Sequence, residues 1–158
     1  PGFQLLEEQY KKLFETEINE ESCIHGNPTL ENIMYDPITE KITFIDLYEE
    51  SIVDSKFLDY SQILQCSDSG YGVINDNPKN INGSCVGTNV SIHLNFNKFN
   101  RLFMQTLSER LSEKQIYLVK LFESTQFFRM LPFKCFAGDI EGAKFFYVYA
   151  CHRVNSLL

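Results

Sequence analysis

Asn32 and Asp46 have the residue types and the spacing of an oxygen-ligand pair. A polar loop, His25-Gly26-Asn27, leaves the apolar residue Ile24; Asn32 opens the next apolar run, and Asp46 closes the run after that. If those runs form a hairpin, an amide oxygen and a carboxylate come side by side at one of its ends. Hard cations such as Mg²⁺ choose oxygen donors and usually take only one or two from the protein, with substrate phosphates and water supplying the rest. Asn32 and Asp46 suit that task. The competing reading gives each residue a structural duty, with His25 in the core, Asn32 forming a turn and Asp46 capping a strand end, and it leaves the joint spacing to chance.

The elements that must position these residues are legible in outline. Asn32-Ile-Met-Tyr35 and Ile42-Thr-Phe-Ile-Asp-Leu47 are short apolar runs joined by Asp36-Pro-Ile-Thr-Glu-Lys41, whose Asp-Pro start is turn chemistry, so a hairpin is expected. Ahead of it, Phe3, Leu6, Tyr10, Leu13, Phe14 and Ile18 recur at three- and four-residue steps and predict an amphipathic helix within residues 1–20. A helix over 56–66 follows, with Ser55 placed to cap it. The stretch 67–88, rich in Gly, Asn, Asp and Ser, reads as a long loop carrying Tyr71, Asp76 and Lys79. Residues 95–158 read as a helical subdomain: one helix over 95–111, a second over 113–131 capped by Ser112 and ended by Pro132, and a last one starting near Asp139, with Glu141 complementing its dipole. The fold class is therefore α+β, mainly helical, in a single domain.

Composition narrows the function classes. With 14 basic against 21 acidic residues the formal charge is −7, and no Lys/Arg cluster stands out, which argues against nucleic-acid and anionic-membrane partners. The apolar stretches, such as Phe145 to Cys151, are too short to cross a bilayer, and Pro1-Gly2-Phe3 begins no signal peptide, so a soluble, cytoplasmic protein is expected. The cysteines at 23, 66, 85, 135 and 151 are scattered without a Cys-x-x-Cys pair, which favours buried thiols over a disulfide framework or a zinc site. His93 and His152 lack partners at metal-ligand spacing and read as structural or exposed. Gln126-Phe-Phe-Arg129 and Phe145-Phe-Tyr147 suit core packing, with an aromatic cage for a quaternary ammonium as the alternative.

His25-Gly26-Asn27 through Asn32 resembles the catalytic loop of the aminoglycoside phosphotransferase and choline kinase family, where His-Gly-Asp is followed five residues later by Asn. Ile45-Asp46 resembles the family's metal-binding Ile-Asp, and Asp59-Tyr60 its helix-opening Tyr/Phe-Asp segment. The resemblance implies the C-terminal lobe of a protein-kinase-like fold, with residues 23–50 as catalytic loop and metal-binding hairpin. It implies Mg²⁺ held by Asn32 and Asp46, together with ATP or another NTP, and a small-molecule acceptor bearing a hydroxyl: an amino alcohol, an aminoglycoside or a sugar. His25 becomes a scaffold residue hydrogen-bonded to backbone.

Two departures qualify that expectation. Asn27 stands where the family has its catalytic Asp, and an amide cannot accept the acceptor's proton. A natural pseudoenzyme, an active enzyme with a relocated base, and an engineered Asp-to-Asn substitution all fit; Glu31, Glu49 and Glu50 are candidate replacement carboxylates. There is also no Gly-rich loop followed by a Lys-bearing strand, so the N-terminal nucleotide-binding lobe is absent from this chain and is expected in the full-length protein. The chain alone is expected to be inactive or impaired; the alternative is a non-catalytic, pseudokinase-like module that binds a nucleotide or a partner protein.

Overall fold

Side-chain caps set where the helices begin. The structure, a computed structural model, describes residues 7, 8, 11, 22–48, 54–76, 79–82, 85–88 and 94–157. Helix α1 (Lys56–Ser67) starts at Ser55, whose hydroxyl accepts from the Phe57 N–H at 3.3 Å. Helix α2 (Tyr71–Asp76) follows, then strands β3 (Lys79–Asn82) and β4 (Cys85–Thr88), helix α3 (Leu94–Arg110), helix α4 (Glu113–Phe136) and helix α5 (Ile140–Asn155). For the hairpin ahead of α1, strands are numbered β1 (Ile33–Asp36) and β2 (Lys41–Phe44).

Ser112 and Gln115 form a reciprocal capping box at the start of α4: Ser112 Oγ accepts from the Gln115 N–H at 3.3 Å, and Gln115 Oε1 accepts from the Ser112 N–H at 3.0 Å. Asp139 caps α5 by accepting from the Gly142 N–H at 2.9 Å. Its carboxylate folds so closely over Gly142 that a β-carbon there would collide with it.

β1 and β2 pair antiparallel from Ile33 opposite Phe44 to Asp36 opposite Lys41. Asp36 closes their turn by accepting from Thr39 Oγ1 (2.6 Å) and the Ile38 N–H (2.9 Å), and these bonds hold its carboxyl below the ordinary range. Glu40, at φ 53°, completes the reversal.

The core forms around α4. Leu118, Val119, Leu121, Phe122, Glu123 and Ser124 are all buried, a near-continuous run that a helix shows only when it is covered on more than one side. Here α1 and α5 supply the cover. One cluster joins Phe57, Leu64 and Leu107 to Leu118, Leu121, Phe122 and Val154; a second joins Ile74 to Phe127, Phe145, Phe146 and Ala150. Each fully buried Phe contributes about 1.5–3 kcal/mol of transfer free energy, so the aromatic run of α4 and α5 is core and not an ammonium cage. Tyr147 alone of its triplet is exposed.

The architecture is mainly helical with small antiparallel hairpins, an α+β arrangement. Among the described residues no helix is long and apolar enough to cross a membrane.

Several expectations need correction. Pro132 does not end α4, which runs on to Phe136. A proline forfeits only its own N–H bond and crowds the preceding turn, a cost that packing against α5 offsets this close to the helix end. The stretch 67–88 is not a bare loop, since it holds α2 and the β3–β4 hairpin. α2 is too short to show periodicity and is held by Ile74 in the core and by Tyr71 against Phe127 and Phe146, while the hairpin lies against α5. Nor are the thiols uniformly buried: Cys23 and Cys135 are exposed, whereas burial pushes Cys66 up to about 11. Of the helix expected within 1–20, Glu7, Glu8 and Lys11 are helical, with a Lys11–Glu7 ion pair at 2.8 Å, and the remainder lies outside the described residues.

A buried ion pair ties α4 to α5. Glu123 is fully buried; its Oε2 accepts from Arg153 Nε (3.1 Å) and Nη2 (2.8 Å), and its Oε1 accepts from the Ser69 hydroxyl. Arg153 also reaches Asp68. Burial pushes the Glu123 carboxyl above its ordinary value of 4.5 against the pull of Arg153. Arg153→Leu, which strands that carboxylate, is expected to cost about 3–5 kcal/mol at neutral pH. A raised folded-state pKa favours the folded state at low pH and loses that contribution as pH rises, so the deficit should shrink as pH falls toward 4.5, where neutral Glu123 no longer needs the cation. Urea unfolding of both proteins across pH measures this.

Candidate functional site

The polar loop at 25–27 is gripped by one face of α1. Asp59, in the first turn of that helix, accepts from the backbone N–H of His25 at 2.8 Å (Oδ2) and of Gly26 at 2.9 Å (Oδ1). Gln62, three residues on and so on the same face, donates from Nε2 to the Gly26 carbonyl at 2.9 Å. Both polar groups of residue 26 are thereby satisfied by α1. Gly26 has φ 77°, a left-handed conformation that admits a residue without a β-carbon at little cost. Phe57 and Leu64, buried in the core, fix α1 and with it the clamp.

The rest of the loop is bonded within itself. The Asn27 N–H donates to His25 Nδ1 at 3.3 Å, which makes Nδ1 the acceptor and assigns the proton of the neutral ring to Nε2. That Nε2 is buried and has no hydrogen-bond partner among the described residues, and the Phe44 ring packs beside the imidazole at 5.6 Å. The His25 carbonyl accepts from the Tyr48 N–H at 3.0 Å, so the loop is stitched to the segment just beyond Asp46.

Asn27, Asn32 and Asp46 come together. Asn32 Nδ2 donates to the Asn27 carbonyl at 2.9 Å, and Asn27 Nδ2 donates to Asp46 Oδ2 at 3.2 Å. The Ile45 N–H donates to the Asn32 carbonyl at 3.0 Å, continuing the β1–β2 pairing up to the residue before Asp46. Asp46 itself sits at φ 59°, in the left-handed region that Asp tolerates better than most residues and that recurs at functional sites. Each amide nitrogen is engaged, which leaves the side-chain oxygens of Asn27 and Asn32 as acceptors alongside the second Asp46 oxygen. Two carboxylates at positions 27 and 46 would repel at this separation; the amide instead makes an attractive contact with no cation required.

A cavity of about 240 Å³ opens beside Asn27 between α1, α2 and α4, with Gln62, Gln65, Tyr71, Gln126 and Arg129 among its walls. Glu31, also on the wall, is exposed and takes the Thr29 hydroxyl at 3.3 Å. Arg129 is held over the Tyr48 ring at 5.2 Å, a cation–π contact. Glu49, Glu50 and His93 lie outside the described residues, as do the side chains of Asp76 and Lys79; His152 is exposed in the last turn of α5.

Sequence reasoning missed the cavity's buried glutamines and the Glu123–Arg153 pair. The spacing Asp59, Gln62, Gln65 along α1 was a signal for the first. Nothing local marks the second, whose partners are thirty residues apart. Compared with protein-family models, curated proteins and solved structures, the chain matches none.

Asp59→Ala should strand two backbone N–H groups at the loop. Each bond to a charged acceptor is worth about 1.5–3 kcal/mol, so a loss of about 3 kcal/mol or more is expected, with Asp59→Asn intermediate. Denaturant unfolding gives the magnitude, and amide exchange at His25 and Gly26 should accelerate before exchange in α4 does.

Proposed function

We propose that this chain is the C-terminal lobe of a protein-kinase-like phosphotransferase acting on a hydroxyl of a small molecule, with Asn27 in the base position. The observation that carries this reading is the hydrogen-bonded convergence of Asn27, Asn32 and Asp46 on a loop clamped by Asp59. A loop residue, an amide just before β1 and a carboxylate two residues past β2, joined by hydrogen bonds, suit in-line transfer from a nucleotide, since that chemistry rests on positioning and charge neutralisation.

The donor set suits Mg²⁺. Asn32 offers its side-chain oxygen and Asp46 a carboxylate oxygen, and Mg²⁺ ordinarily asks the protein for no more than that when phosphates supply the other ligands. When bound with a nucleotide, the ion neutralises phosphate charge. The chain's own residues do the rest. Asn32 ties the metal-side amide to the loop, Asp59 sets the loop's height on α1, and the Asn27 oxygen accepts a hydrogen bond from the acceptor hydroxyl without taking its proton. Turnover is accordingly slow. Glu31, the described carboxylate on the cavity wall, is the candidate for a relocated base.

The hairpin supports a nucleotide-binding lobe in the full-length, cytoplasmic protein as the further partner. Tyr35, Ile42 and Phe44 share one face of β1–β2 and are more than half exposed, an apolar surface that such a lobe would cover. A second reading, a non-catalytic module holding a nucleotide or a partner, is favoured by one specific contact. The Asn27–Asp46 hydrogen bond assembles the site without a cation.

Two experiments on the full-length protein decide. Calorimetry with Mg²⁺–ATP should show binding that Asp46→Ala abolishes; unchanged affinity would sink the metal assignment. Asn27→Asp should raise turnover by about a hundredfold or more, the usual worth of a general base, and should make the thermal midpoint fall in chelator and recover with Mg²⁺. A module that only binds would show the second effect without the first.

A further inference from the structure

The cavity beside Asn27 has a chemistry of its own. Its buried polar wall is mostly carboxamide: Gln62, Gln65 and Gln126 are 1%, 5% and 5% exposed, with Thr29 beside them. A buried amide costs free energy unless its donor and acceptor are both met. For Gln62 only one is. Its nitrogen must face the Gly26 carbonyl, which can only accept, so the orientation of the amide is not arbitrary, and the buried Oε1 has no partner among the described residues. Gln126 Oε1 takes only a long 3.4 Å contact from Arg129 Nη1.

Among the described residues the charges on this wall are one guanidinium and one carboxylate. Both are exposed: Arg129 lies over the Tyr48 ring, and Glu31 has one oxygen already taking the Thr29 hydroxyl. An ammonium is all donor and carries charge; of the two charged groups described here the guanidinium repels it, and the carboxylate that would attract it is already shared. A hydroxyl both donates and accepts, which is what a carboxamide wall can match. The volume of about 240 Å³ is roughly eight waters at about 30 Å³ each, room for one ring of monosaccharide size. Phe133, 61% exposed on the rim, offers an apolar face to the C–H side of such a ring.

We infer that this cavity is an acceptor site for a neutral, polyhydroxylated single ring, a monosaccharide or cyclitol, and that it discriminates against amino alcohols and amino sugars. That the ring's hydroxyl is phosphorylated rests on the phosphotransferase reading; that the ring binds does not.

The test is ligand-detected NMR on the full-length protein without nucleotide. The panel holds neutral hexoses, heptoses and cyclitols at millimolar concentrations, each beside its amino and its phosphorylated counterpart. A neutral member should bind at least about tenfold tighter than its amino counterpart. Gln126→Leu should weaken that binding by a similar factor, and Arg129→Gln should narrow the neutral-to-amino ratio, a change that simple damage to the fold would not produce. Tighter binding of the amino or the phosphorylated form, or no saturable binding by any neutral member, overturns the inference. If a neutral ring binds and ATP with Mg²⁺ leaves it unphosphorylated even with Asn27→Asp, the acceptor-class inference stands and the phosphotransferase reading fails.

Discussion

The site depends on one carboxylate in the first turn of α1. Asp59 takes the N–H groups of two successive residues, His25 and Gly26, and so converts the rigidity of a packed helix into the position of an irregular loop. Backbone in a loop cannot satisfy its own donors the way a helix or a ladder does. Without an acceptor here the loop would turn these groups to water, and Asn27 would no longer stand over Asp46. Gln62 completes the grip by donating to the carbonyl of the same glycine, so one turn of α1 holds both polarities of residue 26.

That clamp is only as firm as α1, and α1 is firm because α4 lies beneath it. Leu118, Leu121 and Phe122 meet Phe57 and Leu64 in one cluster, while Phe127 and Phe146 build a second under α2. Glu123 sits at the junction with Arg153 and Ser69 around its carboxylate. A buried ion pair adds little net stability over an apolar one, but it is costly to break on one side. It therefore sets how α4 and α5 register more than how strongly they adhere. α4 in turn carries Gln126 and Arg129 to the cavity wall, so core and cavity share a helix.

Position 27 shows how little need change for a site to change character. An amide and a carboxylate are nearly the same shape, yet the amide donates to Asp46 where a carboxylate would repel it. The geometry thus closes through a hydrogen bond, and the amide beside the cavity cannot take up a proton as a carboxylate could.

The local parts of this protein were legible in its residues. Ser55, Ser112 and Asp139 cap the helices they precede, Asp36-Pro37 makes its turn, and the short apolar runs on either side of it pair as β1 and β2, because caps and turns are decided by groups within a few residues of one another. The spacing of Asn32 and Asp46 likewise followed from the hairpin. Where the determinant was distant, the residues were silent: α2 and the β3–β4 hairpin hide in a polar stretch because α4 and α5 hold them, and Pro132 sits inside a helix because packing outweighs one lost bond. Asp59 was visible as a motif residue, but only the tertiary structure decided what it grips. The same holds for Glu123 and Arg153 and for the three glutamines gathered beside Asn27, since a polar side chain's partner across thirty residues is fixed by how helices pack and not by anything its neighbours in sequence carry.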